Sequence, residues 1–236
     1  MKPKVLVAAP ISQWYDYCWD EFRVFLKSIT YSNKDIFLVD NSKDRYFFDK
    51  VRLDFDTEKT EHLQSIRDMV TRDHNIIRDR FLEGDYDYLL MLDCDTIPPV
   101  DVIEALLGGQ KDVSSGLYFG NHDINGELKV MPFAWVFSKD EKDWNNTGYL
   151  VDDEIFPGQL MKVAFTGMGC VFLSKKVVEK VPFRYSKEME AWDDRWLGHD
   201  VWDAGFEFWC DTRVKCKHLF LNRTMDYHDL KNKGRA

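Results

Sequence analysis

The stretch Tyr86-Asp87-Tyr88-Leu89-Leu90-Met91-Leu92-Asp93-Cys94-Asp95-Thr96-Ile97-Pro98-Pro99 decides what the rest of the chain can be. Tyr88 to Leu92 are all large and apolar, which is the make-up of a central parallel strand covered on both faces. The run empties into two carboxylates one residue apart and then a double proline. A strand period of two puts Asp93 and Asp95 on the same side of the chain. So close together, they repel each other unless a cation sits beside them. Hard oxygen ligands of this kind suit Mg²⁺ or Mn²⁺, usually with phosphate oxygens completing the shell. In open α/β sheets ligands bind just outside the carboxyl ends of the strands, which is where this pair falls. The plainer alternative is a solvated turn that carries two acids.

Working outward, residues 4–9 read as a first buried strand stopped by Pro10, and residues 35–40 as a second, ending in the turn residues Asn41-Ser42. Between them, residues 16–30 place Trp19, Phe22, Phe25, Leu26 and Ile29 at helical spacing. Residues 61–82 lack Pro and Gly and predict one long helix or two joined ones, closed by Gly84. Pro98-Pro99 opens a further helix to residue 107, ended by Gly108-Gly109. This alternation predicts an α/β fold with a doubly wound, mainly parallel sheet in the first half. Beyond it the texture changes. Residues 112–117, 128–137, 160–165, 169–173, 206–210 and 213–216 read as short strands, residues 175–180 as a helix, and residues 231–236 as a flexible tail. With no linker and no repeat, one domain over residues 1–230 with a smaller mixed β region in its C-terminal half is the simplest expectation.

At 236 residues the chain has the length for one sizeable α/β core, and 44% hydrophobic with 31% charged residues is an ordinary globular make-up. The net charge of −9 argues against a nucleic-acid partner held on a broad basic surface. An anionic ligand therefore needs a metal or a local Arg/Lys cluster. Five scattered cysteines without a Cys-x-x-Cys pair point to free thiols in a reducing compartment. The apolar run at the N-terminus is too short for a signal peptide or a transmembrane segment. A cytoplasmic address is the expectation, with peripheral membrane contact left open.

The chain resembles GT-A-type, nucleotide-sugar-dependent glycosyltransferases, and the resemblance runs over most of its length. Ala8-Ala9-Pro10 and Phe37-Leu38-Val39-Asp40-Asn41-Ser42 are similar to the two nucleotide-side strands of that family. Residues 81–88, leading into Asp93-Cys94-Asp95, resemble its approach to the Asp-x-Asp motif. Ser115-Gly116-Leu117-Tyr118-Phe119 and residues 165–173 resemble its later strands, and His199-Asp200 with His218 resembles its closing acidic motif and histidine.

The resemblance implies a donor half at residues 1–110 and an acceptor and catalytic half at 111–230. It implies that Pro10 lies against the nucleotide and that Asp40 holds ribose or base, although Asp40-Asn41-Ser42 also reads as an Asx turn. It implies Mn²⁺ or Mg²⁺ bound directly by Asp95 and His218, with Asp93 on metal-bound water or ribose. The family often carries an Arg-Asn pair upstream of the motif. Here the matching positions are His74-Asn75, which leaves Arg72 or Arg78 to meet a diphosphate. Gly167 and Gly169 would let backbone approach a sugar, or mark a bulge. Residues 192–196 read as a mobile aromatic acceptor loop. Asp200, placed at the start of a short helix, would be the base of an inverting transfer to a glycan or other hydroxyl, with Asp193 or Asp194 as rivals.

Two other classes compete. Asp93-Cys94-Asp95-Thr96-Ile97 is also similar to the Asp-x-Asp-x-Thr motif of haloacid-dehalogenase-like Mg²⁺ phosphatases, with Asp93 as nucleophile and the Thr one position early. In that family the motif follows the first strand, whereas here two strand candidates precede it. A non-catalytic sugar-nucleotide-binding module would keep Asp40 and Asp95 and have no need of Asp200.

Overall fold

A computed structural model describes residues 2–138, 142–186, 191–220 and 223–225. The N-terminal half alternates as expected, with three additions: β1 (Val5–Ile11), α1 (Asp16–Ser28), β2 (Lys34–Asp40), α2 (Tyr46–Val51), β3 (Asp56–Lys59), α3 (Ile66–Glu83), β4 (Tyr88–Leu92), β5 (Thr96–Ile97) and α4 (Val102–Gly108). The additions are α2, β3 and β5, and the helix expected from Pro98 starts at Val102. Then follow β6 (Val113–Leu117), β7 (Phe119–Ile124), β8 (Glu127–Pro132), β9 (Ala134–Phe137), β10 (Thr147–Tyr149), α5 (Asp152–Ile155), β11 (Leu160–Val163) and β12 (Phe165–Thr166). The last described elements are β13 (Cys170–Ser174), α6 (Lys175–Lys180), α7 (Asp193–Asp203), β14 (Phe208–Lys215), β15 (Lys217–Phe220) and β16 (Arg223–Met225).

The apolar run is the middle of the molecule. β4 lies parallel to β1 on one side and antiparallel to β13 on the other. Its alternate side chains go to opposite faces, as the pleat requires. Leu89 and Met91 join one core cluster, and Leu90 and Leu92 join the other. Each cluster is closed by helices. Ile77 and Phe81 of α3, Val177 and Val178 of α6 and Leu197 and Val201 of α7 cover the first. Trp19, Phe22 and Leu26 of α1, Phe47 of α2 and Ile103 of α4 cover the second. A strand that is buried on both sides has no polar face to show, hence the uninterrupted run.

Among the described residues the main sheet has eight strands, in the order β11-β14-β6-β13-β4-β1-β2-β3. All run in one direction except β13 and β11. The later strands thus do more than form a separate mixed region: β6, β13, β14 and β11 extend the parallel sheet. The mixed part comprises the β10-β9-β12 and β16-β15-β5 sheets and the β7-β8 hairpin. Three expected boundaries shift. Residues 128–137 split into β8 and β9, which belong to different sheets. Residues 206–210 and 213–216 fuse into β14, which carries a register shift between Asp211 and Lys215. The long helix starts at Ile66, where the Ser65 hydroxyl accepts from the Asp68 amide at 3.2 Å.

All five cysteines are buried and none is in a disulfide. No helix among the described residues is long and apolar enough to cross a membrane. The tail expected at residues 231–236 lies outside the described residues.

Candidate functional site

The carboxyl ends of β1, β2 and β4 surround a cavity of about 480 Å³. Pro10, Ile11 and Ser12 line it from the end of β1, Asn41 from the end of β2, and Asp93, Cys94 and Asp95 from the end of β4. Its outer wall is aromatic and aliphatic: Trp14, Tyr15 and Tyr17 before and within α1, with Leu63, Ile66 and Met69 opposite. Trp14 is 63% exposed, so the mouth carries a large apolar ring facing solvent. Two buried oxygens at the cavity, Ser12 Oγ and Asn41 Oδ1, have no hydrogen-bond partner among the described residues. A cavity that is mostly apolar with a few fixed polar groups is what a small-molecule site looks like.

The acidic turn is held by its backbone. The Asp93 amide donates to the Gly169 carbonyl at 3.3 Å, and the Asp95 carbonyl accepts from the Leu219 amide at 2.7 Å. β15 pairs antiparallel with β5, setting His218 opposite Thr96. That register brings His218 Nε2 to 3.5 Å from Asp95 Oδ2. The other ring nitrogen, Nδ1, lies 2.7 Å from the Phe119 carbonyl, which only an N–H can satisfy, so Nδ1 is the protonated nitrogen of the neutral ring. Burial first, and then the Asp95 charge, push the Asp93 carboxyl up to about 7, while His74 and His218 pull it the other way. The two acids are thus mutually repelling, as their spacing predicts. No three metal-capable side chains converge among the described residues. The pair Asp95 and His218 does converge. A carboxylate oxygen and an imidazole nitrogen whose ring is oriented by the Phe119 carbonyl form a donor set that Mn²⁺ accepts, with remaining positions left to a ligand's oxygens.

A second acidic group meets this centre from α7. Burial, then Asp193, then more weakly Asp93 push the Asp194 carboxyl up to about 7, opposed by a hydrogen bond from the Arg195 amide at 2.6 Å. Asp193 is buried and sits with Oδ2 2.6 Å from His74 Nδ1. Two acids in the first turn of α7 favour the helix through its dipole.

This placement corrects the expectation for Asp200. The helix opens at Asp193, and Asp200 lies near its C-terminal end, where Arg184 grips it bidentately at 2.7 and 2.6 Å. Gly198 is no helix breaker here. A Cβ at that position would stand 2.5 Å from Phe165 Cβ, so glycine lets α7 pack closely on β12. The expected mobile loop at residues 192–196 is the entry and first turn of the same helix, with Trp192 stacked under the Arg67 guanidinium at 5.2 Å.

Other expected residues take the following places. Pro10 lines the cavity. Asp40 is 0% exposed: its Oδ1 accepts from the Ser42 hydroxyl at 2.5 Å and amide at 3.2 Å, and Lys59 stands 3.5 Å from Oδ2. The Asx turn is therefore what Asp40 makes, and its neighbour Asn41 is the residue at the cavity. Arg72 bonds Asp73 and Thr60, and Asp73 in turn accepts from Asn41 Nδ2 at 2.7 Å. Asn75 exchanges hydrogen bonds with the Phe183 backbone, and Arg78 bonds the Val178 and Glu179 carbonyls. Both tie α3 to the segment after β13. Gly167 and Gly169 make room for Tyr118: a Cβ would meet its hydroxyl at 2.0 Å from Gly167 and its ring at 2.8 Å from Gly169. Asn41, His74 and Asp194 gain prominence only in three dimensions. The Asp193-Asp194 pair before an apolar run was a readable helix-start signal.

No family model matches the sequence, and no curated protein does. Solved structures do. GalNAc-T7, crystallised with UDP, GalNAc and Mn²⁺, superposes over 92% of this chain and 44% of its own, with a TM-score of 0.65 at 10% identity. S. aureus TarS 1–349 covers 88% of this chain and 57% of its own, with a TM-score of 0.52 at 12% identity. The chain thus spans about half the length of either neighbour. These neighbours are GT-A glycosyltransferases, and the likeness establishes a GT-A-like fold for this chain.

Proposed function

We propose that this protein transfers a sugar from a nucleoside-diphosphate donor to a hydroxyl acceptor. One observation carries the reading: on a GT-A-like sheet, the cavity at the ends of β1, β2 and β4 is floored by Asp93 and Asp95, with His218 beside them. The nucleoside fits the partly apolar part of the cavity, between Pro10 and the Tyr15 side, with Asn41 Oδ1 and Ser12 Oγ as acceptors for its N–H and O–H groups. Asp95 and His218 would hold Mn²⁺ or Mg²⁺, and Asp93 would sit on its water or on ribose. A divalent ion there supplies positive charge to the departing diphosphate. The local cations the sequence offered, Arg72 and Arg78, are occupied in α3's own contacts, which leaves the ion as the main counter-charge.

Transfer to a hydroxyl needs a group that takes a proton as the oxygen attacks. Asp194 fits that task better than Asp200. Its carboxyl is brought to about 7, near the working range of a general base, and it feels the charge of Asp93. Asp200 is spoken for by Arg184. An inverting outcome goes with a base of this kind. The dehalogenase-like alternative expects its motif after the first strand of the fold, and here it follows the fourth. The test is a panel of nucleotide sugars with Mn²⁺, scored for nucleoside-diphosphate release with and without hydroxyl acceptors. Inorganic phosphate released from simple phosphate esters instead would favour the phosphatase reading.

A further inference from the structure

His74 is a buried ionisable group that the proposed chemistry does not use. It projects from α3 and is 1% exposed. Nδ1 lies 2.6 Å from Asp193 Oδ2, Nε2 has no partner among the described residues, and the ring packs on Phe183 with centroids 5.2 Å apart. If packing were its task, a phenylalanine would fill the place without leaving a buried nitrogen unsatisfied, a cost of about 1–3 kcal/mol. What the imidazole adds is its bond to Asp193. That bond joins α3, whose other contacts reach the donor side through Asp73 and Asn41, to the first turn of α7. Asp194 is the next residue on that turn.

We infer that His74 is a positioning residue: by holding Asp193 it fixes the first turn of α7 and so keeps Asp194 directed at the acidic centre. The inference rests on the reading of Asp194 as the base of a sugar transfer. The charged groups facing the pair are Asp73 on α3, Asp93 after β4 and Asp194 on α7. All are acidic, so a side chain that presents an N–H relieves Asp193 where a further carboxylate would repel it.

Three variants separate positioning from plain packing. His74→Phe keeps a ring against Phe183 and loses the bond. Asp193→Asn keeps the size and loses the charge. His74→Asn places an amide N–H near the position of Nδ1. We expect the first two to keep the donor KM within about twofold while kcat falls about tenfold or more, the scale of a reacting group displaced by a fraction of an ångström. The double variant should be no worse than either single one, and His74→Asn should recover most of the rate. Parental kcat in both His74→Phe and Asp193→Asn, or losses that simply multiply in the double variant, would overturn the inference.

A second readout does not depend on transfer. The amides of Leu197 and Gly198 close the helical bonds onto the carbonyls of Asp193 and Asp194, just after the one onto the N-cap Trp192. In His74→Phe and Asp193→Asn they should exchange with deuterium about tenfold faster, while the Ala204 amide, bonded to the Asp200 carbonyl at 2.9 Å, is unchanged. Should the parental protein turn over no nucleotide sugar, the transferase reading fails. The exchange result still decides the link: faster exchange upholds it and unchanged exchange overturns it. If His74→Phe does not fold, Asp193→Asn alone decides by the same two readouts.

Discussion

His218 Nε2 stands 3.5 Å from Asp95 Oδ2, while its Nδ1–H donates to the Phe119 carbonyl at 2.7 Å. One backbone oxygen thus sets the tautomer of the neutral ring, and Nε2 is the nitrogen turned to the carboxylate. That arrangement is typical of a ligating histidine. Removing either donor should weaken Mn²⁺-supported nucleotide binding at least about tenfold, measured by calorimetry with His218→Ala and Asp95→Asn. EDTA should abolish the Mn²⁺ contribution in the parental protein. Equal nucleotide affinity in excess chelator would remove both residues from a metal site.

Asp194 and Asp200 make separate predictions. Asp194→Asn should leave donor binding in place and lower the transfer rate about a hundredfold or more, the scale of a missing general base. Asp200→Asn should lose its grip on Arg184, costing about 0.5–1 kcal/mol of stability with little loss of rate. Steady-state kinetics beside thermal melts read both. The reverse pattern would return the base to Asp200.

The pH dependence follows from the direction of the shifts. Burial raises Asp194 from 3.8 to about 7, so the folded protein holds a proton there that the unfolded chain releases. Stability from this group is present below about pH 4 and is lost as pH rises to about 7. Asp40, also raised by burial, acts in the same direction, as does the raised His74 in its own range above pH 6.5. His122 and His199, lowered by burial, oppose them. Asp194→Asn isolates its own share. Relative to the parental protein, this variant should melt higher at about pH 7.5 than at about pH 5. A difference that does not change with pH would show that Asp194 titrates normally.

Gly167 is the tightest spot at the site. A Cβ there lies 2.0 Å from the Tyr118 hydroxyl oxygen. Gly167→Ala should destabilise by about 1–3 kcal/mol through overpacking. The same change should cost less in a Tyr118→Phe background, where the offending oxygen is gone. A denaturant-melt double-mutant cycle measures the coupling, and a cost independent of residue 118 would mean that the clash is relieved elsewhere.

How much of this was legible depended on where the partner of each residue lay. β4 declared itself because both of its faces are core: Leu89 and Met91 on one side, Leu90 and Leu92 on the other. β1 did so for the same reason. β3 is a short polar edge strand, Asp56–Lys59, made a strand only by lying parallel to β2, and nothing local marks it. That α7 runs on through Gly198 to Asp200, instead of starting there, depends on the close approach of Phe165, which is on a distant strand. The acidic turn was visible as a motif, and His218 through resemblance. The turn of Asp40 onto Ser42 was readable as an Asx turn, but that Asn41 and not Asp40 reaches the cavity depends on how β2 ends against Lys59, which a spacing cannot express. His74 opposite Asp193 is likewise a contact between distant segments.

Turnover itself tests the proposed sugar transfer most directly. Purified protein with Mn²⁺ is incubated with UDP-, GDP-, ADP- and TDP-sugars, with and without sugar acceptors, and nucleoside diphosphate release is followed by mass spectrometry. At least one donor should be consumed, chelator should stop it, and Asp194→Asn should slow transfer while still binding the nucleotide. Donors that all survive intact beside acceptors, with no nucleotide bound at the cavity of Pro10, Asn41 and Asp95, would contradict the proposed transfer.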